Sequence, residues 1–178
     1  LDKIPYARKR LGETSNTKLI GSIAFPFGSI PSSMKKEQAE WAASQGAEEL
    51  DVVPNFFALH QAKIDVFAED IANICEIGLP VRIIIDMTNL TLDKLTLAID
   101  AGIDAGVLGI QSSNGFGRPI SISDIRQIKK IAKGRCQIKA VGSIKTLENA
   151  MSLIDAGADI IGTSVGEQII KESRKMKE

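Results

Sequence analysis

Cysteine is scarce in this chain: Cys75 and Cys136 are the only two in 178 residues. One falls in a predicted helix and the other in a predicted strand, without metal-ligand spacing, which excludes a cysteine-built metal site. The pair reads as buried thiols of a reducing compartment. Aromatic side chains make up only 4% of the residues, too few for a base-stacking platform. Phe25, Phe27, Phe56, Phe57 and Trp41 therefore read as core or loop packing. Neither sign of charge is in excess, since the formal net charge is zero. The basic residues are scattered, and those of the tail (Lys171, Arg174, Lys175, Lys177) alternate with glutamates as on a solvated helix end. The footprint of a nucleic-acid or anionic-membrane partner is missing. No apolar run is long enough to span a bilayer and no signal-peptide pattern is present, so a soluble cytoplasmic protein is expected. The single histidine, His60, falls in a loop and receives no role.

Short apolar runs alternate with amphipathic stretches. Strands are predicted over Leu19–Phe25, Glu49–Val53, Val81–Asp86, Gly106–Gln111, Cys136–Val141 and Asp159–Thr163. Most are rich in Val and Ile and bounded by Gly, Pro or Asn. Helices are predicted over Ile4–Leu11, Met34–Ser44, Ile64–Glu76, Leu92–Asp100, Ser123–Ala132, Leu147–Asp155 and Gly166–Lys175. Ser32 or Ser33, Thr91, and Ser121 or Ser123 supply start signals. Gly46, Gly78, Gly102, Gly134 and Gly157 stand where a left-handed residue would close a helix. Three of these junctions are near copies: Gln45-Gly46-Ala47-Glu48, Asp100-Ala101-Gly102-Ile103-Asp104 and Asp155-Ala156-Gly157-Ala158-Asp159. A repeated strand–helix unit implies a parallel sheet, because parallel strands need a crossover helix.

A closed barrel and an open doubly wound sheet both satisfy that pattern. The open sheet would carry a glycine-rich fingerprint after its first strand, and Gly21-Ser22-Ile23 and Phe27-Gly28-Ser29 do not make one. Asp51, Asp86, Gln111 and Lys139 stand at the carboxyl ends of successive strands, where barrels build their sites. A barrel of this kind uses about eight strands and about 250 residues, against six predicted strands here. The expectation is a (β/α)8 TIM-type barrel lacking its first two strands, with residues 1–178 as one partial barrel domain. A missing N-terminal segment accounts for the gap, the alternative being that another chain covers it.

Lys139 is the most informative residue. It interrupts the otherwise uncharged strand Cys136-Gln137-Ile138-Lys139-Ala140-Val141, which runs into Gly142-Ser143 and a new helix. Strand propensity disfavours lysine, so its place there calls for a wet face or for chemistry. Small residues recur at the ends of neighbouring strands, in Asn114-Gly115-Phe116-Gly117, Gly142-Ser143 and Gly162-Thr163-Ser164. Their N–H groups and hydroxyls could ring a phosphate near a helix N-terminus. The plainer reading of such glycines is as turn residues; three corners in adjacent late strands favour phosphate.

Several stretches taken together resemble the deoxyribose-phosphate aldolase family: Ile20 to Gly28, Gly46 to Val53, Ser112 to Gly117, Ile138 to Glu148 and Gly157 to Ser164, in that order and spacing. The resemblance covers the family's third to eighth strands. It implies a class I aldolase on a (β/α) barrel that interconverts 2-deoxyribose 5-phosphate with acetaldehyde and glyceraldehyde 3-phosphate. It implies no metal and no organic cofactor, and a homo-oligomer whose ligand is a small phosphorylated aldose or aldehyde. In such an enzyme a lysine amine forms a Schiff base that accepts the electrons of the breaking carbon–carbon bond. A second lysine favours its neutral form, and an aspartate with water moves protons.

Carried over position by position, the proton-handling aspartate is Asp51 and the second lysine is Lys139. The Schiff-base position is Gln111, where a primary amide cannot form the imine. Phosphate-binding falls to Gly115, Gly142, Ser143, Gly162, Thr163 and Ser164. Without a cation at position 111 and with Asp51 nearby, Lys139 is expected to stay an ammonium and a poor nucleophile. The family activity is therefore expected to be absent or much reduced. Gln111 is open to three readings: an introduced trap, a natural loss of function, or a neutral filler. Two other functions fit the residues, a non-catalytic relative that binds a sugar phosphate or a partner subunit, and a phosphate-binding isomerase using Asp51 and Lys139 for proton transfer.

Overall fold

The computed structural model describes residues 1–12 and 14–175, and the side chain of Thr88 is excluded; Lys177 of the basic tail lies outside the described residues. Helix α1 (Ile4–Leu11) leads into β1 (Ile20–Ile23), α2 (Ser32–Ser44), β2 (Glu49–Val52), α3 (Phe56–His60) and α4 (Ile64–Cys75). Then follow β3 (Val81–Ile84), a 3₁₀ turn at Met87–Asn89, α5 (Leu92–Asp104), β4 (Gly109–Gln111) and α6 (Ile122–Ala132). The order closes with β5 (Gln137–Val141), α7 (Leu147–Ala156), β6 (Ile160–Gly162) and α8 (Gly166–Lys175). The strands form one six-stranded sheet in sequential order, with every neighbouring pair parallel. This is the arc of a (β/α) barrel, as the alternation implied. None of the described helices is long and apolar enough to cross a membrane.

Register sorts the side chains. Val52, Ile83, Ile110 and Ile138 are partners across four strands and all are buried. They belong to the cluster that includes Ala39 and Ala42 of α2, Phe67 and Ile71 of α4, Ile99 of α5 and Ile125 and Ile128 of α6. Each of the Val, Ile and Phe side chains contributes about 1.5–3 kcal/mol by leaving water. The period of two then turns the flanking residues to the other face. That inner face carries Asp51, Arg82, Gly109 and Gln137 in one row and Ile84, Gln111, Lys139 and Ile160 in the next.

Helix ends explain where the sequence-based boundaries were right and where they were not. Thr91 caps α5 by accepting from Lys94 N (3.4 Å), and Ser121 with Asp124 makes a full capping box on α6. Ser32, by contrast, is the first residue of α2, and Pro31 holds the cap position without a side-chain bond. Gly46, Gly78, Gly134 and Gly157 have positive φ. Gly102 does not close a helix: α5 continues to Asp104 and Gly106 takes the left-handed turn (φ 92°). A Cβ at Gly102 would lie 2.6 Å from Ile83 Cδ1, so this glycine lets α5 rest close on β3. The two thiols are only half-buried, which corrects the expectation of full burial; burial nonetheless pushes both above the ordinary thiol range.

Most of the aromatic side chains expected to pack are also exposed: Phe25, Phe27, Phe57 and Trp41 face solvent. Phe56 is more buried and packs on Phe67 at a centroid distance of 6.1 Å. His60 ends α3 rather than lying in a loop.

Candidate active site

Residues of β2, β3 and β5, with Lys18 ahead of β1, form one chain of charge. Lys139 Nζ donates to Asp51 Oδ2 at 2.5 Å. Arg82 Nε donates to Asp51 Oδ1 at 2.9 Å, and its Nη2 donates to Glu49 Oε2. Lys18 Nζ completes the chain by donating to Glu49 Oε1 at 2.7 Å. Cation and carboxylate thus alternate over five residues from before β1 to β5. Asp51 is 4% and Arg82 2% exposed, so each charge depends on its partners. Burial opposes the charge on Arg82, but Glu49 and Asp51 outweigh it and hold the guanidinium above its ordinary range. Burial likewise works against the Glu49 carboxylate, and Lys18 and Arg82 reverse the effect and hold it below the usual range.

Two glycines shape the packing here. A Cβ at Gly162 would meet Val141 Cγ2 at 2.5 Å and Lys139 Cε at 3.4 Å. The bare backbone of β6 therefore lets Val141 pack close against it, with the lysine stem in ordinary contact. A Cβ at Gly109 would stand 3.1 Å from Arg82 Cγ and 2.8 Å from Gln137 O, so β4 likewise yields room to the arginine.

Gln111 is the register partner of Lys139 and lies on the same face. Its side chain is buried, and Nε2 donates to Ser113 O at 2.7 Å. Beside it, Ser112 Oγ donates to Val141 O (3.1 Å) and accepts from Val141 N (3.0 Å), which locks the ends of β4 and β5 together. Asp86 lies beyond the end of β3, precedes the 3₁₀ turn and accepts from Asn89 Nδ2 at 2.7 Å.

The small residues gather around Val141, which pairs with Gly162 and lies 3.9 Å from the position a Cβ on Gly115 would take. Ser143, Ser164 and Gly115 are exposed, whereas Gly142 is buried. Thr163 differs from the others because its hydroxyl is engaged, donating to Ile144 O (2.6 Å) and accepting from Val165 N (3.1 Å). The loop after β1 reaches over the same mouth. Asn114 Nδ2 donates to Pro26 O (3.3 Å), and the Phe25 and Phe116 rings meet at 6.0 Å. A small cavity of about 70 Å³ lies beneath, with Phe27, Phe56, Ile84 and Asp86 among its walls.

Arg82 and Glu49 were not singled out in the sequence, although the signal was available. An arginine in Val81-Arg82-Ile83-Ile84-Ile85 is as anomalous in an apolar strand as Lys139 is in its own. The structure also corrects the expectation that Lys139 has no cation for a neighbour, since Arg82 shares Asp51 with it.

An arc of parallel strands with a buried carboxylate–lysine pair on its inner face defines a (β/α)-barrel protein of the aldolase kind. No family model matches the chain, but individual relatives do. Deoxyribose-phosphate aldolase of Microcystis aeruginosa is 40% identical over 153 residues, covering 85% of this chain and 68% of the relative. That of Thermococcus gammatolerans is 33% identical over 178 residues, covering 97% and 79%. Among solved structures, the aldolase QR15 superposes with a TM-score of 0.93 at 34% identity, over 99% of this chain and 80% of that one. The tetrameric deoxyribose-phosphate aldolase of Aeropyrum pernix gives 0.83 at 26% identity, over 98% and 74%. The chain belongs to the deoxyribose-phosphate aldolase family.

Proposed function

We propose that the chain binds a small phosphorylated aldose or aldehyde at the carboxyl mouth of the arc. In this reading Asp51 and Lys139 are its proton-handling pair, and Gln111 fills the Schiff-base position without its chemistry. The observation that carries the reading is the contact of Lys139 with Asp51, with Gln111 in register beside the lysine. Cleavage of 2-deoxyribose 5-phosphate through an imine needs an amine that adds to the aldehyde carbonyl, loses water and takes up the electrons of the breaking bond. The nitrogen of Gln111 is an amide whose lone pair is delocalised into its own carbonyl. Aldol cleavage to acetaldehyde and glyceraldehyde 3-phosphate is therefore absent or much reduced, while the binding surface is kept. Self-association belongs to the same reading, supported by the tetramer of the Aeropyrum relative.

The phosphate falls to Gly115, Gly142, Ser143, Gly162, Thr163 and Ser164. Supporting this are the exposed hydroxyls of Ser143 and Ser164 and the start of α8 at Gly166, where free N–H groups favour an anion. Thr163 serves through its backbone, its hydroxyl being occupied. Titration calorimetry with glyceraldehyde 3-phosphate tests the assignment. Ser164→Asp places a like charge against the phosphate and is expected to weaken binding about tenfold or more, or roughly 1.4 kcal/mol. Unchanged affinity in that variant would remove the phosphate from this corner.

A further inference from the structure

We propose that Arg82 is a positioning residue for the Asp51–Lys139 pair, an inference that rests on reading that pair as the proton-handling one. Asp51 could present its carboxylate in many ways to a lysine across the arc. The guanidinium removes that freedom. It is a rigid planar fork, and here one arm holds Asp51 Oδ1 (2.9 Å) while another holds Glu49 on the same strand. Asp51 is left with Oδ2, and that is the oxygen Lys139 contacts. Glu49 is in turn held by Lys18, so the fork is anchored at its far end.

Two further observations support a built arrangement. Arg82 is 2% exposed, and an unpaired guanidinium would not be kept at such a position, where an apolar side chain would serve packing better. In addition, Gly109 opposite Arg82 leaves the space that the arginine stem occupies. The consequence is electrostatic as well as steric. Asp51 divides its two oxygens between Arg82 and Lys139, so one carboxylate oxygen rather than both holds the lysine. Among the described residues, Lys18, Glu49, Asp51, Arg82 and Lys139 are the charged members of this hydrogen-bonded chain, Asp86 lies nearer the mouth, and Gly109, Gln111 and Gln137 carry no charge.

The test has two arms, one independent of turnover. In the first, reductive methylation of the otherwise unmodified chain is followed by mass spectrometry, and the rate at Lys139 is compared with that in Arg82→Gln and Arg82→Lys. Arg82→Gln is expected to slow labelling of Lys139 severalfold at neutral pH, because Asp51 is then free to hold the amine with both oxygens. Arg82→Lys restores the charge without the fork and recovers only part. In the second arm the same substitutions are placed in a Gln111→Lys chain, and cleavage of 2-deoxyribose 5-phosphate is measured over pH. Arg82→Gln is expected to lower kcat by about 10–100-fold with little change in KM, the range of a displaced proton-transfer group. Arg82→Lys keeps a cation in the strand and covers the case in which Arg82→Gln fails to fold. Unchanged Lys139 labelling in whichever of the two variants folds would overturn the proposal. A Gln111→Lys chain without turnover but with the expected labelling shifts would instead defeat the functional reading and leave the role of Arg82 standing.

Discussion

Gln111→Lys is expected to turn this chain into a trappable and much faster aldolase. The substituted lysine would stand in register with Lys139, one strand away on the inner face. Lys139 and Arg82 would then flank the new amine with two cations. Like-charge repulsion and burial both favour the neutral, nucleophilic form at such a site. The expected gain in acetaldehyde release from 2-deoxyribose 5-phosphate is on the order of 10³-fold, the scale on which a catalytic group moves a rate. Borohydride reduction in the presence of substrate should leave the adduct on position 111. The same substitution with Asp51→Asn should lose most of the gain. No adduct at position 111 in a folded Gln111→Lys chain would mean that the remaining residues do not form an aldolase site.

The largest effect on stability is expected away from the mouth, at Lys35. This residue is fully buried between α2 and α4, where Nζ donates to Asp70 Oδ2 at 2.7 Å. Asp70 also accepts from Ser32 Oγ (2.5 Å) and from Asn55 N (2.9 Å). The cluster thus ties two helices to the loop that follows β2, the strand of Asp51. Burial pushes the lysine below its ordinary range, and Asp70 works in the opposite direction. Lys35→Met keeps most of the volume but strands the Asp70 carboxylate out of water. Breaking a buried pair in this way costs about 3–5 kcal/mol, or roughly 10 °C in Tm for a chain of this size. Urea denaturation read by circular dichroism measures the loss. A cost below about 1 kcal/mol would show that Asp70 is satisfied by Ser32 and Asn55 alone. Asp70→Asn should cost a similar amount, because it leaves the buried Lys35 amine without its carboxylate partner.

Much of this arrangement was legible in the sequence. Strand–helix alternation gave the parallel sheet, and the period of two within strands put Asp51, Gln111 and Lys139 on one face. The strands came out shorter than their apolar runs because residues at one or both ends of each run fall outside the ladder. Leu19 and Phe25 flank β1, and Asp86 lies past the end of β3. Helix α3 was missed because Phe56-Phe57-Ala58-Leu59-His60 is too short to show a period. Its start depends on Asn55 accepting from Ala58 N at 3.1 Å. The repeated Ala-Gly junctions misled at Gly102, where close packing on Ile83 rather than helix termination explains the glycine.

Long-range pairing was the least legible part. Lys35 was not singled out in the sequence, yet it is one of the largest fully buried side chains among the described residues. Its partner lies 35 positions away, and no local pattern links the two. Arg82 joins Glu49 and Asp51 across 33 and 31 positions, a relation that only strand register brings about. The functional reading of Thr163 changed for a similar reason, since its hydroxyl bonds to Ile144 in the preceding β5–α7 connection.

The central claim is that a deoxyribose-phosphate aldolase framework here lacks its imine-forming amine while keeping Asp51 and Lys139. The most direct test is borohydride trapping of the unmodified chain with 2-deoxyribose 5-phosphate, read by peptide mass spectrometry beside an acetaldehyde-release assay. The account predicts no stoichiometric adduct on any inner-face lysine and turnover near background. Rapid turnover with the reduced adduct on Lys139 would contradict it, by showing that Lys139 itself supplies the amine.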